Sequence, residues 1–220
     1  MPHAAVMPES LHVDLSCPAL MQGAELPWLP SPLAGVERRP LYRVGGEQAR
    51  ATSLVRYLPG SRFSAHRHPG GEELLVLEGT FEDEHGVYPA GSYVRNPPGT
   101  AHAPASRSGC LMLVRLRQFH PDDRCQQVVM LPTHGGAVLF ENGNERVTVH
   151  DLAPGETWHG ESRRGLELLV MSGALLHDSL SLQALGWCRL PPGQSVSWRA
   201  GDAGARLWCK DAALDLGLTT

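Results

Sequence analysis

Four side chains in the first half of the sequence have the types and spacing of a metal-ligand set. They lie in Gly60-Ser-Arg-Phe-Ser-Ala-His66-Arg-His68-Pro-Gly-Gly-Glu72 and in Asn96-Pro-Pro-Gly99-Thr-Ala-His102. Successive side chains on a strand point to opposite faces, so His66 and His68 share one face. Glu72 follows at an even step, after a Pro-Gly-Gly break that can swing the chain onto a neighbouring strand. His102 is presented by a tight Pro-Pro-Gly turn. Imidazoles and a carboxylate aimed into one cavity can hold a divalent transition metal. A His-x-His pair alone would mean two surface histidines; the Glu72 and His102 positions and the framing Gly and Pro turn it into a site.

This donor set suits zinc, iron(II), manganese, nickel or copper, with zinc and iron ranked first, because selection among them depends on availability as well as on geometry. Four protein ligands can close a tetrahedral zinc site. They can equally leave positions of an octahedral ion open to water, substrate or dioxygen. The first arrangement would be structural or sensory, the second catalytic. No separate general base is identifiable.

The elements that must place these ligands are strands. Short runs of Val, Leu and Phe bounded by Gly and Pro turns are β-strand composition. Strands are expected at Leu41–Val44, Ala51–Leu58, Glu73–Glu78, Ser92–Arg95 and Leu111–Phe119. Many short strands with such turns point to a sandwich or jelly-roll barrel, whose interior can exclude water while several strands aim ligands inward. Residues 1–40 read as an irregular, proline-punctuated arm whose Trp28 covers a sheet edge. The polar stretch from Pro121 to Gln127 reads as a linker. Glu73, of opposite parity to Glu72, is expected to point outward. Glu78, Glu82, Asp83, Glu84 and His85 read as a solvated hairpin surface, and Tyr93 and Arg95 as packed or surface residues.

Composition excludes several classes. The 220 residues carry a formal net charge of −4 and only one lysine, Lys210, with no basic run, so nucleic acid is not an expected partner. The content of 42% hydrophobic residues with 24 glycines and 18 prolines suits a turn-rich β protein with a proper core. No stretch is apolar enough to span a membrane, and the N-terminal residues do not read as a signal peptide, so a cytoplasmic location is expected. The five scattered cysteines form no Cys-x-x-Cys pair and read as reduced, mostly buried thiols.

The two motifs resemble the paired signature of the cupin superfamily. Gly60, His66, His68, Glu72 and Gly79 fill each place of the first motif, and Gly91, Pro97, Gly99 and His102 fill the second. The asparagine that often closes the second is replaced by the run Ala103-Pro-Ala-Ser106. From Leu41 to Phe119, roughly a third of the chain, the sequence is similar to the cupin domain of ChrR-type anti-sigma factors. What the resemblance implies is one divalent metal held by His66, His68, Glu72 and His102, with a small-molecule ligand at that metal. The His-x-x-x-Cys-x-x-Cys pattern of the sigma-binding zinc domain in that family does not occur here, so a sigma factor is not an expected partner.

The second half repeats the first. Gly165-Leu-Glu-Leu-Leu-Val-Met-Ser-Gly173 lies over Gly71-Glu-Glu-Leu-Leu-Val-Leu-Glu-Gly79, and Arg189-Leu-Pro-Pro-Gly193 over Arg95-Asn-Pro-Pro-Gly99. Both are displaced by 94 residues (165 − 71 and 193 − 99). The expected architecture is therefore all-β, two tandem cupin jelly-roll barrels of the double-stranded β-helix type. The expected domains are residues 1–125, the arm plus a metal-binding barrel, and residues 126–220, a degenerate barrel. At the same offset the ligands become Gly160, Ser162, Leu166 and Val196, so the second barrel is expected to be metal-free.

Two functions fit this reading, beside a blander one in which the metal only braces the barrel. One is a metal-dependent dioxygenase or isomerase of a small anionic or oxygen-rich molecule. The other is a non-enzymatic sensor, related to the anti-sigma-factor cupins, that responds to oxidants or small ligands. A homodimer is the expected oligomer, since cupins often associate through sheet edges.

Overall fold

The computed structural model describes residues 7–46 and 48–215. Apart from one 3-10 turn at Gly23–Glu25, the regular structure of these residues is strand. They form two compact units, one from residues 7–13 and 27–130, the other from residues 14–26 and 131–215.

In chain order the strands up to Met130 are β1 (Ser10–Leu11), β2 (Ala19–Gln22), β3 (Leu29–Pro30), β4 (Val36–Val44), β5 (Arg50–Tyr57), β6 (Ser61–Arg62), β7 (His66–Arg67), β8 (Glu72–Asp83), β9 (Gly86–Pro89), β10 (Ser92–Asn96), β11 (Ala101–His102), β12 (Ala105–Ser106), β13 (Cys110–Leu116) and β14 (Gln127–Met130). Those that follow are β15 (Ala137–Glu141), β16 (Glu145–Leu152), β17 (Thr157–Glu161), β18 (Leu166–His177), β19 (Leu180–Gln183), β20 (Gly186–Leu190) and β21 (Ser195–Ala212).

The first unit is built on a sheet of order β1-β4-β5-β13-β8-β10-β14, all antiparallel neighbours. Its core face carries Val36, Val55, Leu74, Val76, Met112 and Val114. Strand β8 is long because it serves both walls of the barrel. Its first half pairs with β10 and β13, and its last residues pair with β9 and β12. Gly79 makes the turn between them. At φ +70° it takes a left-handed conformation, and a Cβ there would sit 2.1 Å from the carbonyl oxygen of Gly109, so only glycine fits. A bulge against β13 at the same place shifts the register between Leu111 and Met112. The inward parity of β8 therefore changes from even (Leu74, Val76) to odd (Phe81).

The opposite face of that sheet buries charge. Glu73 accepts a hydrogen bond from the Tyr93 hydroxyl and pairs with Arg115 at 2.5 Å, while Arg95 pairs with Asp123 at 2.6 Å. Glu73 thus points away from the cavity as expected, into a buried ion network. Tyr93 and Arg95 are both packed residues. The polar stretch 121–127 is not a free linker, because Asp123 closes this network and β14 adds to the edge of β10.

The second unit has the order β15-β16-β21-β18-β20-β2. Its elements repeat those of the first at the expected offset: β18 begins at 166 against 72 for β8 and ends at 177 against 83, both 94 residues apart. Gly173 repeats the bend, with a Cβ position 2.1 Å from the Gly204 carbonyl oxygen. The arm is not irregular throughout. β2 completes the second unit's sheet beside β20, β1 and β3 flank β4, and Trp28 lies between the guanidinium groups of Arg39 (4.2 Å) and Arg56 (4.3 Å). The boundary falls after Met130 instead of after residue 125, because β14 hydrogen-bonds to β10. Among the described residues no helix is long and apolar enough to cross a membrane.

Candidate metal centre

His66 and His102 face each other across the two-stranded ribbon β7–β11. The backbone N–H of His68 donates to Thr100 O at 2.9 Å, which extends the ribbon and brings the third ring alongside. Ligand atoms of His66, His68 and His102 lie within 4.8 Å of one another, and the three residues could hold a metal ion. Two of the rings have their tautomers set. The Nδ1–H of His66 donates to Ser64 O at 3.2 Å, and that of His102 donates to Asp83 Oδ2 at 3.2 Å. Each Nε2 is left with a free lone pair, the arrangement of metal-ligating imidazoles held by a partner behind them.

Glu72 enters from β8. The Pro69-Gly70-Gly71 turn can pack tightly there because Gly71 lacks a side chain; a Cβ would meet the Phe119 ring at 2.4 Å. The Oε2 of Glu72 is 3.4 Å from His102 Nε2 and 3.6 Å from His68 Nε2. His68 Nε2 and Glu72 Oε2 are buried and make no hydrogen bond. Unpartnered buried polar atoms cost free energy. A cation between these donors would satisfy them, so the residues present fit a divalent ion. Burial, followed by the neighbouring imidazoles, pulls the His68 ring below the ordinary histidine range, against Glu72, which favours the protonated ring. A neutral imidazole is the ligating form. For His102 burial acts in the same direction, but the hydrogen bond it donates to Asp83 and the charges of Glu72, Asp83 and Glu84 together outweigh it and raise the ring's pKa.

Asp83 is the participant that sequence reasoning missed. Its sequence position reads as a solvated hairpin, yet its side chain is only 4% exposed. Oδ1 accepts hydrogen bonds from the backbone N–H groups of His85 (2.8 Å) and Gly86 (3.0 Å) and from the Tyr88 hydroxyl (3.0 Å). Burial would raise the Asp83 pKa, but these bonds and the one from His102 hold it below its ordinary value. Counting parity from Glu72 puts residue 83 outward. The bulge before Gly79 turns it in, and a bulge leaves no simple mark in sequence. Glu84 also contributes, accepting the Ala103 N–H at 2.7 Å just after His102.

A cavity of about 390 Å³ opens beside the rings, with Tyr57, Phe63, Phe81, Leu74 and Val114 among its walls. In the second unit the equivalent positions Gly160 and Leu166 also border a cavity, of about 410 Å³, but they bring no metal donors to it. The Trp158 ring lies over Gly160, where a Cβ would meet it at 2.4 Å, and Leu166, Val196 and the buried Trp198 pack into the same core. Ser162 spends its hydroxyl on Leu190 O at 3.2 Å. The cysteines are all free thiols, with Cys110, Cys188 and Cys209 buried, and burial pushes the Cys188 thiol up to about 12.

Comparison with known proteins agrees with this architecture. Residues 17–120 match the family model described as the ChrR cupin-like domain. Three solved structures share the fold. The bacterial pirin YhhW from Escherichia coli, solved in complex with nickel(II), is 14% identical with TM-score 0.68, covering 90% of this chain and 100% of that one. The E. coli protein YlbA is 15% identical with TM-score 0.65, covering 94% and 96%. A candidate dioxygenase from Nostoc punctiforme is 13% identical with TM-score 0.69, covering 90% and 84%. No curated protein of known function matches the sequence significantly. The motifs, the β architecture and the histidine cluster agree: the chain has the cupin fold, and its residues 17–120 are similar to the ChrR cupin-like domain.

Proposed function

We propose that this protein is a metal-dependent cupin that binds one divalent transition metal through His66, His68, His102 and Glu72 and acts on a small molecule admitted to the adjoining cavity, as a dioxygenase or isomerase. The observation that carries the reading is the convergence of three imidazoles with a buried, unpartnered carboxylate oxygen at the wall of a cavity. Bound there, the ion would supply Lewis acidity and open positions for an oxygen ligand. The chain's own residues do the rest. Asp83 and Ser64 O orient two of the rings. The apolar walls limit water and shape the bound molecule. Zinc and iron are the leading metals, and the nickel held by the pirin neighbour keeps nickel in the set.

The test is elemental analysis of the purified protein, followed by dioxygen-uptake and product assays on iron-, nickel- and zinc-loaded protein with a panel of diketones and flavonoids. Uptake of about one ion per chain with turnover by one loaded form supports the reading. A protein that retains no metal overturns it. The family match favours one second reading, a regulatory cupin that senses oxidants or small ligands without turnover. Ligand-dependent binding of a partner protein by a metal-loaded but inactive chain would select it.

A further inference from the structure

The cavity beside the histidines is lined by three arginines, Arg38, Arg67 and Arg117, and by a single carboxylate, Glu72, which faces the rings. A chain of net charge −4 therefore keeps a positive pocket, and such a pocket concentrates small anions. Arg117 is engaged, donating to Gln48 at 3.2 Å. Arg38 makes no hydrogen bond or ion pair among the described residues, and neither does the Tyr57 hydroxyl. The strand register places them together. Val36 pairs with Tyr57 and Arg38 with Val55, so on the inward face Arg38 lies diagonally across from Tyr57, within reach of long side chains. Burial, reinforced by the charge of Glu72, keeps the Tyr57 phenol protonated at any ordinary pH, so it can donate. Both donors stand on the large sheet, whereas the histidines stand on the β7–β11 ribbon. Between them the walls are apolar and aromatic: Val55, Phe63, Leu74, Phe81 and Met112.

We infer that the cavity takes an organic carboxylate on a short apolar stem, with the Arg38 guanidinium and the Tyr57 hydroxyl as the anchor for the carboxylate. A planar guanidinium matches a carboxylate in a paired, charge-assisted arrangement, and the phenol adds a third donor from the neighbouring strand. The far end of the stem then reaches the histidines; that part rests on the metal-centre reading, whereas the anchor does not require the ion. Arg38 is a specificity residue here. An uncharged amide isostere keeps one acceptor oxygen but loses the charge and the second, turning its own N–H groups toward a donor in a partly desolvated pocket, which disfavours it.

The anchor is tested on the full chain after chelation of any metal, by titration calorimetry or ligand-observed NMR with hexanoate and with hexanamide as probes. Hexanoate is expected to bind about tenfold or more tightly than hexanamide, and Arg38→Gln is expected to erase the difference while keeping hexanamide affinity. Arg67→Gln is expected to leave the preference in place. Equal affinity for the two probes in the wild type, a preference that survives Arg38→Gln, or one abolished by Arg67→Gln alone would overturn the assignment. Should Arg38→Gln lose hexanamide binding or fail to fold, Arg38→Lys replaces it: a retained preference supports the anchor and equal affinities refute it. Metal content is read separately by elemental analysis, so a failure of the metal centre and a failure of the anchor are told apart.

Discussion

His102 donates its Nδ1 proton to Oδ2 of Asp83 across 3.2 Å, and Asp83 is itself fixed by three further donors. A carboxylate so held locks the ring's tautomer and makes Nε2 a better donor to metal. Replacing Asp83 by Ala is expected to weaken metal affinity by about 10–100-fold, with Asp83→Asn in between because its carbonyl still accepts a hydrogen bond. Competition with a chromogenic chelator measures this; an unchanged affinity in Asp83→Ala would show that the pair only braces the hairpin.

Removal of a ligand should be unequal in the two units. His68→Ala and His102→Ala are expected to reduce bound metal from about one ion per chain to a small fraction of that. Ser162→Ala, at the position equivalent to His68, is expected to leave metal content unchanged. Elemental analysis after dialysis reads each variant.

The glycine bends give a stability prediction with an internal control. A Cβ at Gly79 or Gly173 would lie 2.1 Å from a carbonyl oxygen, so Gly79→Ala and Gly173→Ala are expected to cost about 3 kcal/mol or more. Gly60 and Gly99 also have positive φ but face open space, so alanine there should cost only about 1 kcal/mol. Chemical denaturation of the four variants compares them. Equal losses would mean that backbone conformation, not the close approach, governs the bend.

The Asp83–His102 pair also predicts a pH window for the metal-free protein. The Asp83 pKa is depressed below its ordinary 3.8, so its contribution is present above 3.8 and lost as pH falls through the folded value. The His102 pKa is raised above 6.5, so its contribution is complete below 6.5 and lost as pH rises through the folded value. The stability difference between wild type and Asp83→Ala should therefore be largest between pH 3.8 and 6.5 and shrink on both sides. Urea denaturation of both proteins across that range measures it, and a difference independent of pH would exclude a charge contribution from the pair.

Most of the ligand geometry was legible in sequence because motif residues obey local rules. His66 and His68 share a face by strand parity, and the Pro-Pro-Gly turn delivers His102 to the same ribbon. The duplication was legible because both halves bend at matching glycines, Gly79 and Gly173. Features that depend on distant pairing were not. Asp83 reads as a surface acid because only the bulge against β13 turns it inward. Glu73 reads only as an outward-pointing acid, its buried partners hidden, because Arg115 and Tyr93 come from strands 42 and 20 residues away. The arm reads as irregular because β1, β2 and β3 are two to four residues long, too short to show periodicity, and gain their hydrogen bonds from β4 and β20.

Strand β8 carries Glu72 at one end and Asp83 at the other, and the turn at Gly79 folds it so that both carboxylates meet His102, one at each ring nitrogen. The imidazole is clasped by one continuous piece of backbone whether or not an ion is present. An ion entering the pocket meets the His66 and His102 rings already oriented, so loading and stripping should be reversible without the refolding that accompanies metals whose sites are assembled on binding.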